Sequence, residues 1–208
     1  DMSYSRYYYT FKFAKNGDIV FSNDNGMIYQ LDPASGEIKN EFVLDDSYIS
    51  DFTTVGDSLV IVGGNSVKEY SLESGKELGN IKPLESEVLY ENNSNFYGIS
   101  NIFSDDDKTI YYTSTTGLYK YKLGEKEVEQ IIEGSLSSIG DDNMHISTFV
   151  VGKDNTFLAC GQDYNSYEVG TSIIRFTYSA DIPKVPENQI TVYSLYENYQ
   201  IRQNIVLY

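Results

Sequence analysis

Hydrophobic positions along this chain fall into short runs separated by polar turns, and one order of parts recurs four times. Runs of four to eight residues rich in Val, Ile, Tyr, Phe and Thr, bounded by Gly, Asn, Asp and Ser, predict β-strands. The recurring pair is a consecutive apolar run followed by an alternating run. The apolar runs are residues 18–21, 58–61, 109–112 and 156–159, and the alternating runs are 28–31, 67–70, 118–121 and 173–176.

Further strand-like stretches surround each pair of runs. One precedes every apolar run across a tight Asn, Gly or Asp turn, at residues 7–13, 49–55, 96–103 and 146–151. Another follows the alternating run in the first three copies, at 38–44, 77–81 and 127–132. A helical stripe of apolar residues is missing until the last dozen residues. The repeated unit is therefore predicted to be a four-stranded antiparallel meander.

Four-stranded units repeated every ~40–50 residues are typical of β-propellers, in which stacked sheets cover each other's faces. We predict an all-β fold, a β-propeller or partial propeller of about four four-stranded antiparallel blades, at approximately 7–44, 48–84, 96–134 and 146–181. A β-sandwich is the alternative, although sandwiches do not repeat a hairpin in register. The blades form either a four-bladed ring or part of a larger one. We favour the partial ring, which leaves an apolar face at each end.

The two strand patterns predict different positions within a blade. The second strand is apolar at consecutive positions, as expected for a strand covered on both faces. The third strand alternates, which suits a position nearer the rim where polar side chains reach water. The matching polar residues of the four third strands are Gln30, Glu69, Lys120 and Arg175.

One turn carries a family resemblance. Residues 26–37 read Gly-Met-Ile-Tyr-Gln-Leu-Asp-Pro-Ala-Ser-Gly-Glu, and the second copy keeps Ser74 and Gly75. This stretch resembles the quinoprotein-dehydrogenase type of propeller repeat, which implies the fold. The quinone enzymes of that group place their cofactor on a Trp and a disulfide. This chain has no Trp and one Cys, so we expect no quinone site and no other cofactor.

The tail changes character after the repeats. Residues 182–188 hold two of the four prolines, residues 190–196 read as a strand, and Ile201, Ile205 and Tyr208 share one helical face. This stretch resembles the start of bacterial extracellular solute-binding proteins. The repeats predict blades over 1–183. The resemblance implies a linker, strand and helix over 184–208 that open an α/β solute-binding domain. Alternatively, residues 190–196 are the closing strand of the last blade.

The charge balance limits the partners. The chain has 31 acidic and 15 basic residues, a net charge of −16 and a pI near 4.3. Such a surface repels phosphate backbones and anionic lipids, so nucleic acid is not an expected partner. The solute-binding resemblance implies an exported bacterial lipoprotein, located extracellularly, at the cell surface or anchored to the membrane. Membrane contact is then expected only through a lipid anchor outside this chain.

The sequence contains only weak indications of a catalytic residue or a metal site. His145 is the single histidine, with Asp141 and Asp142 nearby, and a lone His is more often structural than catalytic. Cys160 follows an apolar run and is expected in the core as a small residue. The loop at 22–26 resembles a calcium loop but has Phe21 where the first aspartate ligand would stand. We expect no catalytic residue and no metal site.

Binding is the function that the pattern favours. Propellers bind partners through the loops between blades and between second and third strands, here 45–48, 90–95, 141–145 and 161–169. Aromatic and amide side chains in such loops stack on sugars or contact proteins. The candidate ligand-binding residues are Tyr48, Tyr90, Asn95, His145, Asp163, Tyr164 and Tyr167.

We therefore predict a non-catalytic propeller module that binds a small molecule, a carbohydrate being one candidate, or a protein. The module is expected to be attached to a transport-type solute-binding domain. One alternative is a supporting part of a carbohydrate-uptake protein with no ligand of its own. The less favoured alternative is an enzyme built on a propeller scaffold.

Overall fold

The computed structural model describes most of the repeat region. The described residues are 8–23, 26–44, 49–64, 66–85, 98–99, 101–114, 116–134, 137, 139, 144–152, 156–164 and 170–177. Their elements are β1 Tyr8–Phe13, β2 Ile19–Asn23, β3 Met27–Leu31, β4 Ile38–Val43, β5 Ile49–Val55, β6 Ser58–Gly63, β7 Val67–Ser71, β8 Glu77–Asn80, α1 Lys82–Glu85, β9 Asn101–Ser104, β10 Thr109–Ser114, β11 Gly117–Lys122, β12 Val128–Glu133, β13 Met144–Val151, β14 Thr156–Asp163 and β15 Gly170–Thr177.

The strands form four sheets, which we call blades 1 to 4. Blades 1, 2 and 3 are four-stranded, with the strands in sequence order: β1-β2-β3-β4, β5-β6-β7-β8 and β9-β10-β11-β12. Blade 4 has three strands among the described residues, in the order β13-β14-β15. The predicted repetition of antiparallel meanders is confirmed. The proposed linker, strand and helix over 184–208 lie outside the described residues.

The chain divides into two compact units. One comprises residues 1–114 and 118–131, and the other comprises 115–117 and 132–208. Blades 1 and 2 and most of blade 3 belong to the first unit, and blade 4 belongs to the second. Within the first unit, the first strand of blade 2, β5, contacts the first strands β1 and β9 of its neighbours.

Two apolar clusters join the blades of the first unit. The cluster between blades 1 and 2 consists of Ala14, Val20, Ile28, Phe42, Leu44, Phe52, Leu59, Ile61, Tyr70 and Leu72. The cluster between blades 2 and 3 consists of Val55, Val60, Val62, Val67, Ile81, Leu84, Ile99, Ile102, Ile110, Tyr112 and Tyr121. Successive residues of β6 therefore enter different clusters, which confirms that this second strand is covered on both faces.

The short helix α1 was not predicted from the sequence. It is a single turn that directly follows Ile81, and Leu84 projects from it into the cluster between blades 2 and 3 with no exposed surface. Pro83 suits the first turn of a helix, since its missing N–H has no partner there in any case. One turn is too short to produce the periodic pattern by which a helix is recognised.

The expectation that third-strand polar residues reach water was wrong for Gln30. Its side chain is 1% exposed. Its amide donates to the Oδ2 of Asp18 at 2.6 Å and accepts from the Nδ2 of Asn40 at 2.8 Å, which satisfies the buried polar atoms. Arg175 follows the prediction and is exposed, whereas Glu69 and Lys120 are half-buried.

Blade 4 buries one face. Phe149, Phe157 and Ala159 are buried, while Leu158 and Cys160 alternate with them along β14 and point to the opposite face. Cys160 is half-buried on that second face. The expectation of a core cysteine was therefore wrong, because strand alternation assigns it to the more exposed side.

Strand β13 begins at Met144, two residues before the predicted start.

Candidate functional site

The predicted binding loops share one end of each blade. In an antiparallel meander, the first and third strands begin, and the second and fourth end, at the same end of the sheet. We call this end the loop end. By chain order, four connections start or finish at the loop end of a blade. They are residues 45–48 between β4 and β5, the chain before β9, the chain before β13, and the connection from β14 to β15.

Four candidate residues cannot be placed. Tyr48, Tyr90, Asn95 and Tyr167 lie outside the described residues. The other three, His145, Asp163 and Tyr164, fall in blade 4 at its loop end.

The backbone register brings these three residues to neighbouring positions. His145 in β13 is opposite Gln162 in β14, and Met144 is opposite Asp163. Asp163 is in turn opposite Gly170, the first residue of β15. Three of the seven candidate residues therefore lie at one end of one sheet.

Tyr164 and Gln162 supply the exposed polar side chains of this end. The Tyr164 hydroxyl donates to the Oε1 of Gln162 at 2.6 Å. The Tyr164 side chain is 50% exposed, and Gln162 is exposed as well. The hydrogen bond orients an aromatic ring beside an amide whose N–H₂ group can donate to a ligand. Such a pair can stack on an apolar surface and form hydrogen bonds at its edge.

A second polar group at the loop end was missed by the sequence analysis. The Asp51 carboxylate, on the first strand of blade 2, accepts the backbone N–H of Ile102 in blade 3 at 2.9 Å and that of Phe52 at 2.8 Å. Next to it, the Ser50 hydroxyl donates to the carbonyl of Ile99 at 3.3 Å. The loop ends of blades 2 and 3 are therefore adjacent. The available signal was a Ser-Asp pair near the start of a predicted strand.

Burial controls the ionisation of Asp51. Removal from water disfavours the carboxylate and raises its pKa above the ordinary value of 3.8, although the N–H groups of Ile102 and Phe52 and the charge of Lys12 oppose the change. The position and contacts of this group indicate that it joins two blades.

A polar network joins blades 1 and 2 on their buried faces. Asp18 is 3% exposed and accepts hydrogen bonds from Gln30 and from the Nζ of Lys39 at 2.8 Å. Asn40 bonds to Gln30 and also donates to the carbonyl of Leu72 in blade 2 at 2.9 Å. Burial opposes the charge of Asp18, but hydrogen bonds from Lys39, Gln30 and Asn16 outweigh it and hold the pKa below 3.8.

The opposite end of the first unit brings the first turns of three blades together. Lys15, in the turn between β1 and β2, forms an ion pair with Asp107, in the turn between β9 and β10. A Cβ at Gly56, in the turn between β5 and β6, would lie 2.7 Å from the backbone oxygen of Asp107, and its φ is +56°. Only glycine fits this approach. The first turns of blades 1, 2 and 3 thus meet closely at this end of the first unit.

Local contacts also explain the shifted pKa values in and beside the acidic turn between β9 and β10 of blade 3. Burial opposes ionisation of Asp106, yet hydrogen bonds from Lys108 and Thr109 lower its pKa. Tyr111 stacks on Phe103 with 5.3 Å between ring centroids. Its burial, with the nearby charges of Asp105 and Asp106, raises its pKa to about 12.

The described part of the chain has neither a cluster of metal ligands nor a membrane-spanning helix. No group of three or more His, Cys, Asp and Glu residues there could hold a metal ion. In the same residues, no helix has the length and hydropathy needed to span a bilayer. His145 lies in the described strand β13, but Asp141 and Asp142, its suggested partners, lie outside the described residues.

Solved structures identify the class of fold. The chain is similar to the C-terminal WD40 domain of Sif2, with 12% identity, 86% of this chain and 48% of that chain covered, and a TM-score of 0.53. It is also similar to BamB from Moraxella catarrhalis (12% identity, 84% and 45% covered, TM-score 0.51). A third similar structure is the β-propeller domain of Cps50 (Swd1) from Myceliophteria thermophila (11% identity, 79% and 56% covered, TM-score 0.50).

The four sheets are thus those of a β-propeller. The chain spans about half the length of these propeller structures. No protein-family profile matches it, and no curated protein matches it either. The similarity to these structures shows the fold. The quinoprotein-dehydrogenase type of repeat rests only on the resemblance of residues 26–37.

Proposed function

We propose that this chain is a non-catalytic binding module that holds a ligand or a partner protein at its loop end. The observation that carries the proposal is the exposed Tyr164–Gln162 pair, where an aromatic ring is fixed beside an amide at the end that receives the long connections. Aromatic and amide groups together contact sugars and proteins without a covalent step.

The shifted carboxyl groups support a role without catalysis. Asp51 joins blades 2 and 3, Asp18 belongs to the network that reaches blade 2 through Asn40, and Asp106 holds a turn, so hydrogen bonds within the fold engage these three groups. Perturbed pKa values mark catalytic sites in many proteins, but structural networks produce them too. At these three positions the contacts favour the structural explanation.

The wider setting of the module is also proposed. The resemblance of residues 26–37 to one propeller repeat, and of residues 190–208 to solute-binding proteins, supports a module of an exported bacterial lipoprotein beside a transport-type domain. A carbohydrate is the first ligand class to test, because sugar rings stack on tyrosine and their hydroxyls bond to amides.

The experiment is a binding screen on this chain with mono- and oligosaccharides and a set of peptides, read by thermal shift and confirmed by calorimetry. We expect at least one class to bind with a Kd below about 1 mM. Tyr164→Ala and Gln162→Ala should each weaken that binding about tenfold or more.

A matched control comes from blade 3. There the Nε2 of Gln130 donates to the Tyr119 hydroxyl at 3.1 Å, a Gln–Tyr pair on the third and fourth strands in which Gln130 is exposed and Tyr119 is half-buried. Gln130→Ala should leave binding unchanged. Binding that is equally weakened by Gln130→Ala, or insensitive to Tyr164→Ala, would contradict the proposed site. Absence of binding to every sugar and peptide would instead favour a supporting part with no ligand of its own.

A further inference from the structure

The third strand of blade 4 has a partner on one side only among the described residues. In blades 1, 2 and 3 the third strand lies between the second and the fourth strands. In blade 4, β15 pairs with β14 along all eight of its residues. Within the described part of the chain, the other edge of β15 therefore presents backbone N–H and C=O groups with which an extended segment can pair.

Blades 1 and 2 show where along the chain a fourth strand follows. In both blades, the third-strand position that Arg175 occupies in β15 is opposite the residue ten positions further along. These pairs are Gln30 with Asn40 and Glu69 with Gly79. The same spacing in blade 4 brings Val185 opposite Arg175.

We propose that residues 183–188 of this chain pair with the outer edge of β15 as the fourth, antiparallel strand of blade 4. The segment reads Pro-Lys-Val-Pro-Glu-Asn. In the register set by blades 1 and 2, Pro186 is opposite Ile174 and Glu187 is opposite Ile173. Blade 4 and this segment belong to one compact unit, residues 115–117 with 132–208.

The direction of the backbone groups along β15 follows from blade 2. Only every second residue of a third strand directs its N–H and C=O towards the fourth strand. On that side, the N–H of Ser71 donates across the turn after β7 at 2.9 Å, and the carbonyl of Val67 accepts an N–H just after β8 at 2.7 Å. Arg175 corresponds to the residue midway between these two. Arg175 and Ile173 therefore direct their backbone groups to the outer edge, whereas Ile174 directs its own to β14.

Both prolines of the segment then fall where a missing N–H costs no hydrogen bond. Pro186 is opposite Ile174, so its nitrogen faces away from β15. Pro183 matches the first residue after the turn in blades 1 and 2, which also lies opposite a third-strand residue of this second kind. Proline is tolerated at such outward positions of an edge strand, whereas at an inward position it removes a hydrogen bond of the sheet.

Charge supports the same register. Arg175 is exposed, and Glu187 comes to the same face of the sheet, at a diagonal position. Blade 2 contains a diagonal pair of this type, since Glu77 is opposite Tyr70, two residues from Lys68. There the Nζ of Lys68 lies 3.1 Å from the Oε2 of Glu77. Diagonal neighbours on adjacent strands are within reach of long side chains, so we expect an ion pair between Arg175 and Glu187.

This pairing determines where the chain leaves blade 4. A fourth strand ends at the loop end of its blade. The chain after residue 188 therefore starts at the end that carries Tyr164 and Gln162, and a following domain is held beside that pair instead of on a free linker. This consequence for binding rests on the proposed function, whereas the docking of residues 183–188 does not.

Cross-linking tests the register. Cys160 is opposite Ile173, so the cysteine pairs are made in a Cys160→Ser background. Ile173→Cys with Glu187→Cys should form a disulfide under mild oxidation, because directly opposite residues have Cα atoms about 5.5 Å apart. Ile173→Cys with Asn188→Cys is the matched control, since a shift of one residue turns the side chain to the other face. Mass spectrometry and thiol titration should show several-fold more cross-linking in the first pair.

Two results of this experiment overturn the proposal. Equal cross-linking of the two pairs, or none in either, shows that residues 187 and 188 do not lie along β15 in this register. Cross-linking of Ile173→Cys with a cysteine placed in residues 190–196 instead identifies that stretch as the closing strand.

Hydrogen exchange tests the pairing in the unsubstituted chain. The N–H groups of Ile173 and Arg175 face the outer edge, so we expect both to exchange as slowly as the N–H of Ile174, which β14 protects. Fast exchange at Ile173 and Arg175 beside slow exchange at Ile174 is the signature of an unpaired edge and contradicts the proposal.

Two proline substitutions provide the matched comparison. Val185→Pro removes an inward N–H and should accelerate exchange of the Arg175 N–H at least about tenfold, while Asn188→Pro, at an outward position, should leave it unchanged. The same exchange rate in both variants overturns the assigned register. These measurements do not involve ligand binding, so a negative sugar and peptide screen leaves them unaffected.

Discussion

Blades 2 and 4 are copies of one unit, yet their second strands have different surroundings. In β6 the consecutive residues Leu59, Val60 and Ile61 are all fully buried, because blade 1 covers one face and blade 3 the other. In β14 the neighbours Phe157 and Ala159 are buried, while Leu158 between them is 41% exposed. The same apolar position of the repeat is core in one blade and surface in the other.

This difference separates the two sources of burial in a repeat protein. Strand alternation and composition decide which side chains belong to which face, and they do so equally in both blades. A neighbouring blade decides whether that face loses contact with water, and each neighbour contributes only to the blades beside it. Removing a side chain should therefore cost much free energy in blade 2 and little on the exposed face of blade 4.

The largest effect is expected at the fully covered strand. Ile61→Ala should lower the free energy of unfolding by about 2–5 kcal/mol, because it removes buried methylene groups and leaves a cavity between blades 1 and 2. Urea denaturation followed by circular dichroism measures this change. A loss below about 1 kcal/mol would show that the junction between these blades is loosely packed.

The polar network on the covered face of blade 1 should have the next largest effect. Asp18→Asn removes the charge that Lys39, Gln30 and Asn16 contact, and we expect a loss of about 1–3 kcal/mol at neutral pH. A lowered pKa contributes stability that is complete above 3.8 and lost as the pH falls through the folded value. The difference between wild type and Asp18→Asn should therefore shrink in acid, and a difference that stays constant down to about pH 2 would contradict it.

Asp51, between blades 2 and 3, should show the opposite dependence on pH. Asp51→Asn leaves one of two backbone N–H groups without an acceptor, at about 0.5–1.5 kcal/mol near neutrality. Since the folded pKa is raised above 3.8, the stability from protonation is complete below that value and lost as the pH rises through the folded pKa. The advantage of the wild type over Asp51→Asn should thus grow on acidification, measured by urea unfolding at matched pH values.

The smallest effect is expected on the exposed face. Leu158→Ala, at the position equivalent to Val60, should change the free energy of unfolding by less than about 1 kcal/mol, because Leu158 is 41% exposed. The comparison with Ile61→Ala uses the same denaturation assay. If Leu158→Ala costs as much as Ile61→Ala, then the face of blade 4 that carries Leu158 is covered, and the contrast between the two blades fails.

Prediction from the sequence succeeded where the signal was local. Strand positions followed from β-branched and aromatic runs between Gly, Asn and Asp turns, and β2, β6 and β10 lie where the apolar runs predicted them. It failed at Gln30, because a polar residue in an alternating strand is ordinarily assigned to water. Only the neighbouring positions of Asp18 and Asn40 in the folded sheet provide the partners that make its burial favourable.

Some residues of the candidate site could likewise be predicted from the sequence, and others could not. Tyr164 and Asp163 could be nominated from their position in a long connection rich in Tyr, Asp and Asn. Asp51 could not, since its acceptor role depends on the N–H of Ile102, fifty-one residues away in the chain. Contacts between blades are not encoded in any one repeat.

By itself, the sequence determined the repeated meander, its turns, the two faces of each strand and the acidic surface, because hydrophobic periodicity and turn chemistry act over a few residues. The tertiary structure alone decided which faces are covered, which polar side chains join blades and which apolar residues remain exposed. Burial is a property of neighbours, and the neighbours of a blade lie dozens of residues away along the chain.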